Sequence, residues 1–181
     1  VDLRYLSLSS LVEIETCEDS DVNTDATASA DNGGDAAAKI DVQLDEECDD
    51  CSLNAASDAT ADSGGDAESN ANIEVDERDD CVMDASASSE AEDGGDADAT
   101  ATIEVEECDD CQAQADAEAN ADDGGDAEAT ATADAESCDD CQLDAEAEAD
   151  ADGGDALAEA DAEIENCDDC QANAEATATT E

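Results

Sequence analysis

Apolar and polar residues alternate strictly over most of the chain. The segment from Gln112 to Ala119 reads QAQADAEA, and the segment from Ala127 to Ala133 reads AEATATA. A period of two is typical of a β-strand, which here would have one face of alanine and one face of acidic or hydroxyl side chains. A helix would spread the alanines around its whole circumference. The pattern therefore predicts an all-β protein.

Two turn motifs alternate along the chain and define a repeat of about 30 residues. The first motif is Gly-Gly-Asp-Ala, which begins at Gly33, Gly64, Gly94, Gly124 and Gly153. The second is Cys-Asp-Asp-Cys, which occupies 48–51, 108–111, 138–141 and 167–170, with degenerate copies at 17–20 and 78–81. Each repeat unit is thus predicted to contain two strands, one between each pair of turns.

We expect the two strands of a unit to form an antiparallel β-hairpin. Asn or Asp followed by Gly supplies the positive φ angles that hairpin turns need. A loop at 123–125 would pair Ala121 with Ala127 and Ala119 with Ala129, which keeps alanine opposite alanine. The alternative is a thin parallel β-solenoid with one coil per repeat, which would also direct its alanines inward.

The N-terminal stretch differs from the repeats. Residues 1–14 contain no alanine and no glycine but several large apolar side chains, such as Leu6, Leu8 and Leu11. We therefore divide the chain into an apolar N-terminal strand region, 1–16, and an Ala/Asp-rich β-repeat domain, 17–181. The N-terminal region is either the first strand of the fold or a strand donated to a neighbouring copy.

Eight of the ten cysteines are placed to form disulfides across their turns. A β-turn brings residues i and i+3 within disulfide range. A zinc site would need two such turns to converge, and the neighbouring aspartates disfavour a reactive thiolate. The predicted bridges are Cys48–Cys51, Cys108–Cys111, Cys138–Cys141 and Cys167–Cys170.

Cys17 and Cys81 lack a cysteine at this spacing and are predicted to form a long-range or intermolecular disulfide. In a flat sheet of hairpins their turns would lie roughly 19 Å apart, which favours a bond between subunits. Disulfides indicate an oxidising compartment. A chain that begins at Val1 also fits a mature protein after removal of a signal peptide, so we expect an extracellular or cell-surface location.

The charge of the chain limits its partners. There are 59 acidic and 3 basic residues, a formal net charge of −56, and no His. Nucleic acid is disfavoured because there are too few basic side chains to neutralise phosphates, and no apolar stretch is long enough to span a membrane. An enzyme is disfavoured because His-based acid–base catalysis and aromatic pockets are excluded.

So many carboxylates need positive charge, and Ca²⁺ is the expected cofactor because it binds several carboxylate and carbonyl oxygens. The alternative is a solvated acidic face adapted to high salt. The best candidate ligands lie at the glycine turns: Asp31, Asp35, Asp62, Asp66, Asp93, Asp96, Asp122, Asp123, Asp126, Asp152 and Asp155.

In its layout, with an apolar first strand followed by disulfide-bearing β repeats, the chain resembles secreted subunits of extracellular filaments that assemble by strand donation. The resemblance implies a structural protein that binds copies of itself through β-strand pairing. The alternative function is a monomeric acidic module that binds calcium or a mineral surface.

Overall fold

The computed structural model describes residues 5–14, 17–18, 21–44, 48–49 and 51–181. Within these ranges the regular elements are all β-strands, as the alternating pattern predicts. The fourteen strands are β1 (Tyr5–Ile14), β2 (Cys17–Glu18), β3 (Asp21–Ala30), β4 (Asp35–Leu44), β5 (Cys48–Asp49), β6 (Ser52–Ala61), β7 (Ala67–Asp79), β8 (Val82–Ala91), β9 (Ala97–Asp109), β10 (Gln112–Ala121), β11 (Ala127–Glu136), β12 (Gln142–Ala151), β13 (Ala156–Glu165) and β14 (Gln171–Thr180).

The strands form two parallel sheets. The first sheet, sheet A, has the order β1-β4-β7-β9-β11-β13, with the short strands β2 and β5 beside this path. The second, sheet B, has the order β14-β12-β10-β8-β6-β3. The chain passes from one sheet to the other at every turn, so each repeat forms one coil. The protein is a parallel β-solenoid of about five turns.

The predicted antiparallel hairpins are therefore wrong, and the alternative parallel solenoid is confirmed. Ala121 pairs with Ala91 and Ala151 in the adjacent coils and not with Ala127, which pairs with Ala97 and Ala156. A single hairpin sheet would leave its alanine face uncovered, whereas the solenoid covers the alanines of each sheet with those of the other.

The interior is narrow because most inward positions are alanine. Along β12, buried and exposed residues alternate at every position. Larger buried side chains, including Ile40, Leu44, Ile73 and Ile103, lie toward the cysteine turns. Where serine occupies an inward position its hydroxyl is hydrogen-bonded: Ser57 Oγ donates to the carbonyl of Ala38 at 2.9 Å.

The two glycines of each pair have different structural roles. The first glycine, such as Gly94 at φ 89°, adopts a left-handed conformation that turns the chain. The second glycine lies against its counterpart in the preceding coil: a Cβ on Gly95 would be 2.0 Å from the carbonyl oxygen of Gly65. Hydrogen bonds between coils therefore continue through the turns, as from Gly64 N to Glu92 O at 3.0 Å.

The N-terminal strand β1 lies at the edge of sheet A. It pairs with β4 of the same chain along its entire length, from Tyr5 with Asp35 to Ile14 with Leu44. Residues 1–4 and 15–16 of the proposed donor region lie outside the described residues. Donation of this strand to another copy stays a prediction.

Candidate functional site

The parallel register stacks equivalent residues of successive coils into ladders. The carboxylates and thiols described below belong to such ladders. One ladder consists of the aspartates that follow the glycine pairs. Each of the first four accepts a hydrogen bond through Oδ1 from the backbone N–H of the aspartate in the next coil. The four donor–acceptor distances are 3.3 Å (Asp66 to Asp35), 3.2 Å (Asp96 to Asp66), 3.0 Å (Asp126 to Asp96) and 2.8 Å (Asp155 to Asp126).

The other candidate calcium ligands form separate rows at the same corner. Asp62 and Asp122 lie at equivalent positions at the ends of their strands, as do Asp31 and Asp152, and the structure adds Glu92 between Asp62 and Asp122. Asp93 and Asp123 lie one residue later at the apex of the turn, both at φ 59°. The glycine turns thus present stacked rows and not a separate loop of ligands in each repeat.

Glu92 was missed by sequence reasoning, although aligning the repeats would have placed it with Asp62 and Asp122. Its carboxylate shows the electrostatic effect of stacking. The charge of Asp62 raises the pKa of Glu92 above its usual range, with smaller contributions from desolvation and from other neighbouring carboxylates.

A second acidic surface lies on the outer face of sheet A, near the cysteine turns. One of its rows is Glu74, Glu104, Asp134 and Glu163, and the row beside it is Asp76, Glu106, Glu136 and Glu165. We call these eight residues the sheet A acidic surface. Desolvation, and then the charge of Asp161, raises the pKa of Asp134.

None of these carboxylates forms a ready-made metal site. In the part of the chain that the structure describes, no group of three or more Asp, Glu or Cys side chains is arranged to hold a metal ion. The rows place carboxylates at the strand spacing, roughly 4.8 Å, where like charges repel. The rows therefore require counter-charge, and calcium stays a prediction.

The cysteine turns form two further ladders, whose side chains are buried from Cys51 to Cys141 and half-buried at Cys167 and Cys170. The N–H of Cys108 lies 3.4 Å from Sγ of Cys138, and the N–H of Cys138 lies 3.3 Å from Sγ of Cys167. In the second ladder, the N–H of Cys141 lies 3.4 Å from Sγ of Cys170. Each of these three sulfurs thus lies beside the backbone of the preceding coil.

Hydrogen bonding among the thiols couples their proton affinities. Side-chain hydrogen bonds with Cys108 and then with Cys141 lower the pKa of Cys138. Hydrogen bonds with Cys111 and then Cys138 raise the pKa of Cys141. In the last coil, desolvation is the main cause that raises the pKa of Cys167 to about 11.

The predicted cross-turn disulfides stay predictions. The side chains of Cys111, Cys138, Cys141, Cys167 and Cys170 are thiols in this structure. The side chains of Cys17 and Cys48 lie outside the described residues, but their backbones are in register. The distance of roughly 19 Å that a flat sheet of hairpins would place between the turns of Cys17 and Cys81 does not apply, because these turns lie two coils apart along the solenoid.

The two ends of the solenoid are the remaining candidate site. At one end, Leu6 and Leu8 are 39% and 47% exposed, although their partners Ala36 and Ala38 are each 1% exposed. At the other end, β14 is exposed along its whole length, while Ala145 in the preceding coil is fully buried. Both edge coils therefore present apolar side chains and one side of their backbone to solvent.

Comparisons with known proteins add no functional assignment: no family model, no curated protein and no solved structure matches the chain. Among the described residues there is no helix long and apolar enough to cross a membrane. The functional argument therefore rests on the ladders and the edges.

Proposed function

We propose that the protein is a structural subunit of a secreted extracellular or cell-surface filament. The last coil of one copy pairs with the first coil of the next, and disulfides and Ca²⁺ stabilise the assembly. The observation that carries this proposal is the pair of open edges, because exposed strand edges are templates for pairing with another chain. A head-to-tail contact of this kind does not close on itself and generates a filament.

The inward residues of the two ends are complementary in size. Following the register through the coils, Leu6 occupies the same position as Ala156, and Leu8 the same position as Ala158. If β1 of the next copy continues sheet A beyond β13, two large side chains lie against two small ones. The exposed leucines would then be covered as the alanines are in the middle of the solenoid.

Two outward positions of sheet A avoid charge repulsion at this junction. In the same register, Glu159 would lie beside Ser9, and Asp161 beside Leu11. Leu11 is 61% exposed in the isolated copy. At these two positions an uncharged side chain of the first strand would therefore lie beside an acidic side chain of the last coil.

Some polar side chains of sheet B also match across the junction, whereas Asp25 would lie beside Glu175. Continuing its register places Asn173 beside Asn23 and Thr177 beside Thr27. Like residues stacked in a parallel sheet continue the ladders that hold the coils together. With six strands in sheet B at a spacing of roughly 4.8 Å, each copy would add about 29 Å to the filament.

A charge variant tests the junction directly. Ser9→Asp with Leu11→Asp would place carboxylates beside Glu159 and Asp161, and each new pair costs about 0.8 kcal/mol at a separation of about 5 Å in water. We expect the concentration needed for assembly at low salt to rise roughly 15-fold. Ser9→Asn with Leu11→Asn is the matched uncharged control and should assemble more readily than the Asp variant.

Sedimentation and electron microscopy provide the readout, with and without chelator. Filaments that lengthen in millimolar calcium and shorten in EDTA agree with the whole proposal. Filaments that survive prolonged EDTA treatment would remove the calcium part, and equal assembly of the Asp and Asn variants would refute the junction. That the protein is not an enzyme and does not bind nucleic acid stays a prediction.

The second candidate function is a monomeric module that binds calcium or a mineral surface, and the sheet A acidic surface favours it. Its two straight rows of carboxylates could match the spacing of cations in a crystal face. A protein that remains monomeric in millimolar calcium, yet adsorbs to a calcium mineral, would support this function. Glu104→Gln with Asp134→Asn should then weaken adsorption.

A further inference from the structure

The sulfur atoms of the cysteine turns have neighbours in two directions. The N–H of Cys108 lies 3.4 Å from Sγ of Cys138, and the N–H of Cys141 lies 3.4 Å from Sγ of Cys170, each in the next coil. Cys108 across the turn is the main cause that raises the pKa of the Cys111 thiol, and Cys81 and Cys141 in the adjacent coils also shift this pKa. A cysteine in this structure therefore approaches the cysteine of an adjacent coil as well as the cysteine three residues away.

The same alignment holds in the first three coils. The N–H of Val82 donates to the carbonyl of Cys51 at 2.9 Å, just as the N–H of Gln112 donates to the carbonyl of Cys81 at 2.8 Å. Cys51 and Cys81 are 2% and 0% exposed. The backbone of Cys17 is likewise in register with that of Cys48. Paired strands place Cα atoms roughly 4.8 Å apart, inside the range that a disulfide spans.

If every Cys-Asp-Asp-Cys turn formed its own disulfide, two of the ten cysteines would have no unbonded cysteine within bonding distance. It would leave Cys17 and Cys81 to bridge two coils, roughly 9.6 Å along the axis, beyond the reach of a disulfide. Cys17 has no cross-turn cysteine because residue 20 is serine, and Cys81 has none because residue 78 is arginine. The cysteines of the coil between them, Cys48 and Cys51, are neighbours of Cys17 and Cys81 respectively.

We propose that the oxidised protein contains two disulfides that run between coils, Cys17–Cys48 and Cys51–Cys81, in place of the cross-turn bridge Cys48–Cys51 and of a bond between Cys17 and Cys81. These bonds connect the first three coils along the solenoid axis. They leave the other six cysteines to pair within their own coils, as Cys108–Cys111, Cys138–Cys141 and Cys167–Cys170. All ten cysteines are then paired with an adjacent cysteine, and the pairing does not depend on filament assembly.

Each bond forms by thiol–disulfide exchange with an oxidant such as glutathione disulfide. One cysteine thiolate attacks the oxidant and releases one glutathione, and the neighbouring thiolate then displaces the second glutathione. The two protein thiols lose two protons and two electrons, and glutathione disulfide is reduced to two glutathione molecules.

The positions of the three basic residues allow a direct test. Trypsin cleaves after Arg4, Lys39 and Arg78, and so places Cys17 in peptide 5–39, Cys48 and Cys51 in peptide 40–78, and Cys81 in peptide 79–181. The full chain is refolded at high salt in a glutathione redox buffer, alkylated in denaturant, digested exhaustively and analysed by mass spectrometry without reduction. We expect one species in which all three peptides are covalently linked.

A second cleavage identifies the bonds. Proteolysis on the amino side of aspartates, including Asp49 and Asp50, separates Cys48 from Cys51, and the Cys48 fragment should then carry only the part of peptide 5–39 that contains Cys17. Release of peptide 40–78 with an internal bond, alkylation of Cys17 or Cys81, the exchanged pairing Cys17–Cys51, or a covalent dimer would each overturn the proposal. The Cys17→Ser, Cys81→Ser double variant is the control, because its peptide 40–78 must be released.

Discussion

Replacing Gly95 by alanine tests the solenoid at its tightest contact. The added Cβ would lie 2.0 Å from the carbonyl oxygen of Gly65 and 2.8 Å from its carbonyl carbon. Both atoms belong to the backbone, so the two coils must separate by more than 1 Å to reach an ordinary contact distance. The separation would stretch the hydrogen bonds from Gly64 N to Glu92 O at 3.0 Å and from Ala67 N to Asp96 O at 2.9 Å.

The expected cost follows from these contacts. Overpacking costs about 1–3 kcal/mol, and each weakened hydrogen bond adds about 1 kcal/mol, so Gly95→Ala should lower the free energy of unfolding by about 3–5 kcal/mol. Gly124→Ala is the matched control. Its Cβ would meet no atom within 4 Å, although φ is 100°, and only the left-handed strain of about 1–2 kcal/mol applies.

Urea denaturation followed by far-ultraviolet circular dichroism, at high salt to suppress charge repulsion, would compare the two variants with the parent chain. Close stacking of the glycine pairs requires that Gly95→Ala be the more destabilising change. If Gly124→Ala were equally or more destabilising, the glycine contact between coils would be refuted, and with it the parallel register at this corner.

Three further predictions concern charge and buried polar groups. Desolvation, and then the charges of Glu128 and Glu68, raise the pKa of Asp98. A pKa raised in the folded state contributes stability that is present below the unfolded pKa and is lost as pH rises through the folded pKa. The urea midpoint at low salt should therefore be higher near pH 4 than at pH 7, and a midpoint that falls on acidification would contradict this prediction. Asp98→Asn removes the repulsion from both neighbours and should increase the free energy of unfolding at pH 7 by up to about 1 kcal/mol. The increase should shrink in 1 M NaCl, and a salt-independent increase would show that charge repulsion is not its cause. Ser57→Ala removes an acceptor for the Ser69 hydroxyl, 2.9 Å away, and the donor to Ala38 O, and should cost about 1–2 kcal/mol in the same urea assay; an unchanged midpoint would show that these buried bonds are replaced.

The strands could be predicted from the sequence, but their arrangement could not be decided from the alternation alone. Ala121 lies opposite an alanine in either arrangement. In the solenoid its partners Ala91 and Ala151 are each 30 residues away, an even number that keeps the same face inward. A feature that distinguishes the two folds is the second glycine of each pair. A hairpin turn accounts for Gly94, which has a positive φ, but only stacked coils require Gly95 to lack a side chain.

The candidate sites were predicted only in part, because their composition depends on which residues are stacked. The aspartates at the glycine turns were identified, but Glu92 was not, because it is a glutamate where the equivalent residues of the other turns are aspartates. The sheet A acidic surface was also missed. Glu104 and Asp134 are 30 residues apart in sequence and become neighbours only in a parallel register, which the hairpin interpretation excluded.

Hydrogen bonds between coils continue through the turns, and this has a mechanical consequence. In most folds a pulling force is concentrated on a few strands, while the loops extend freely. Here a tensile load along the axis is shared around almost the whole circumference of a coil, with turn contacts such as Asp110 N to Asp139 O at 3.0 Å carrying part of it. Rupture would have to break one complete ring of backbone bonds together, so the breaking force should depend on the circumference of a coil and not on the number of coils.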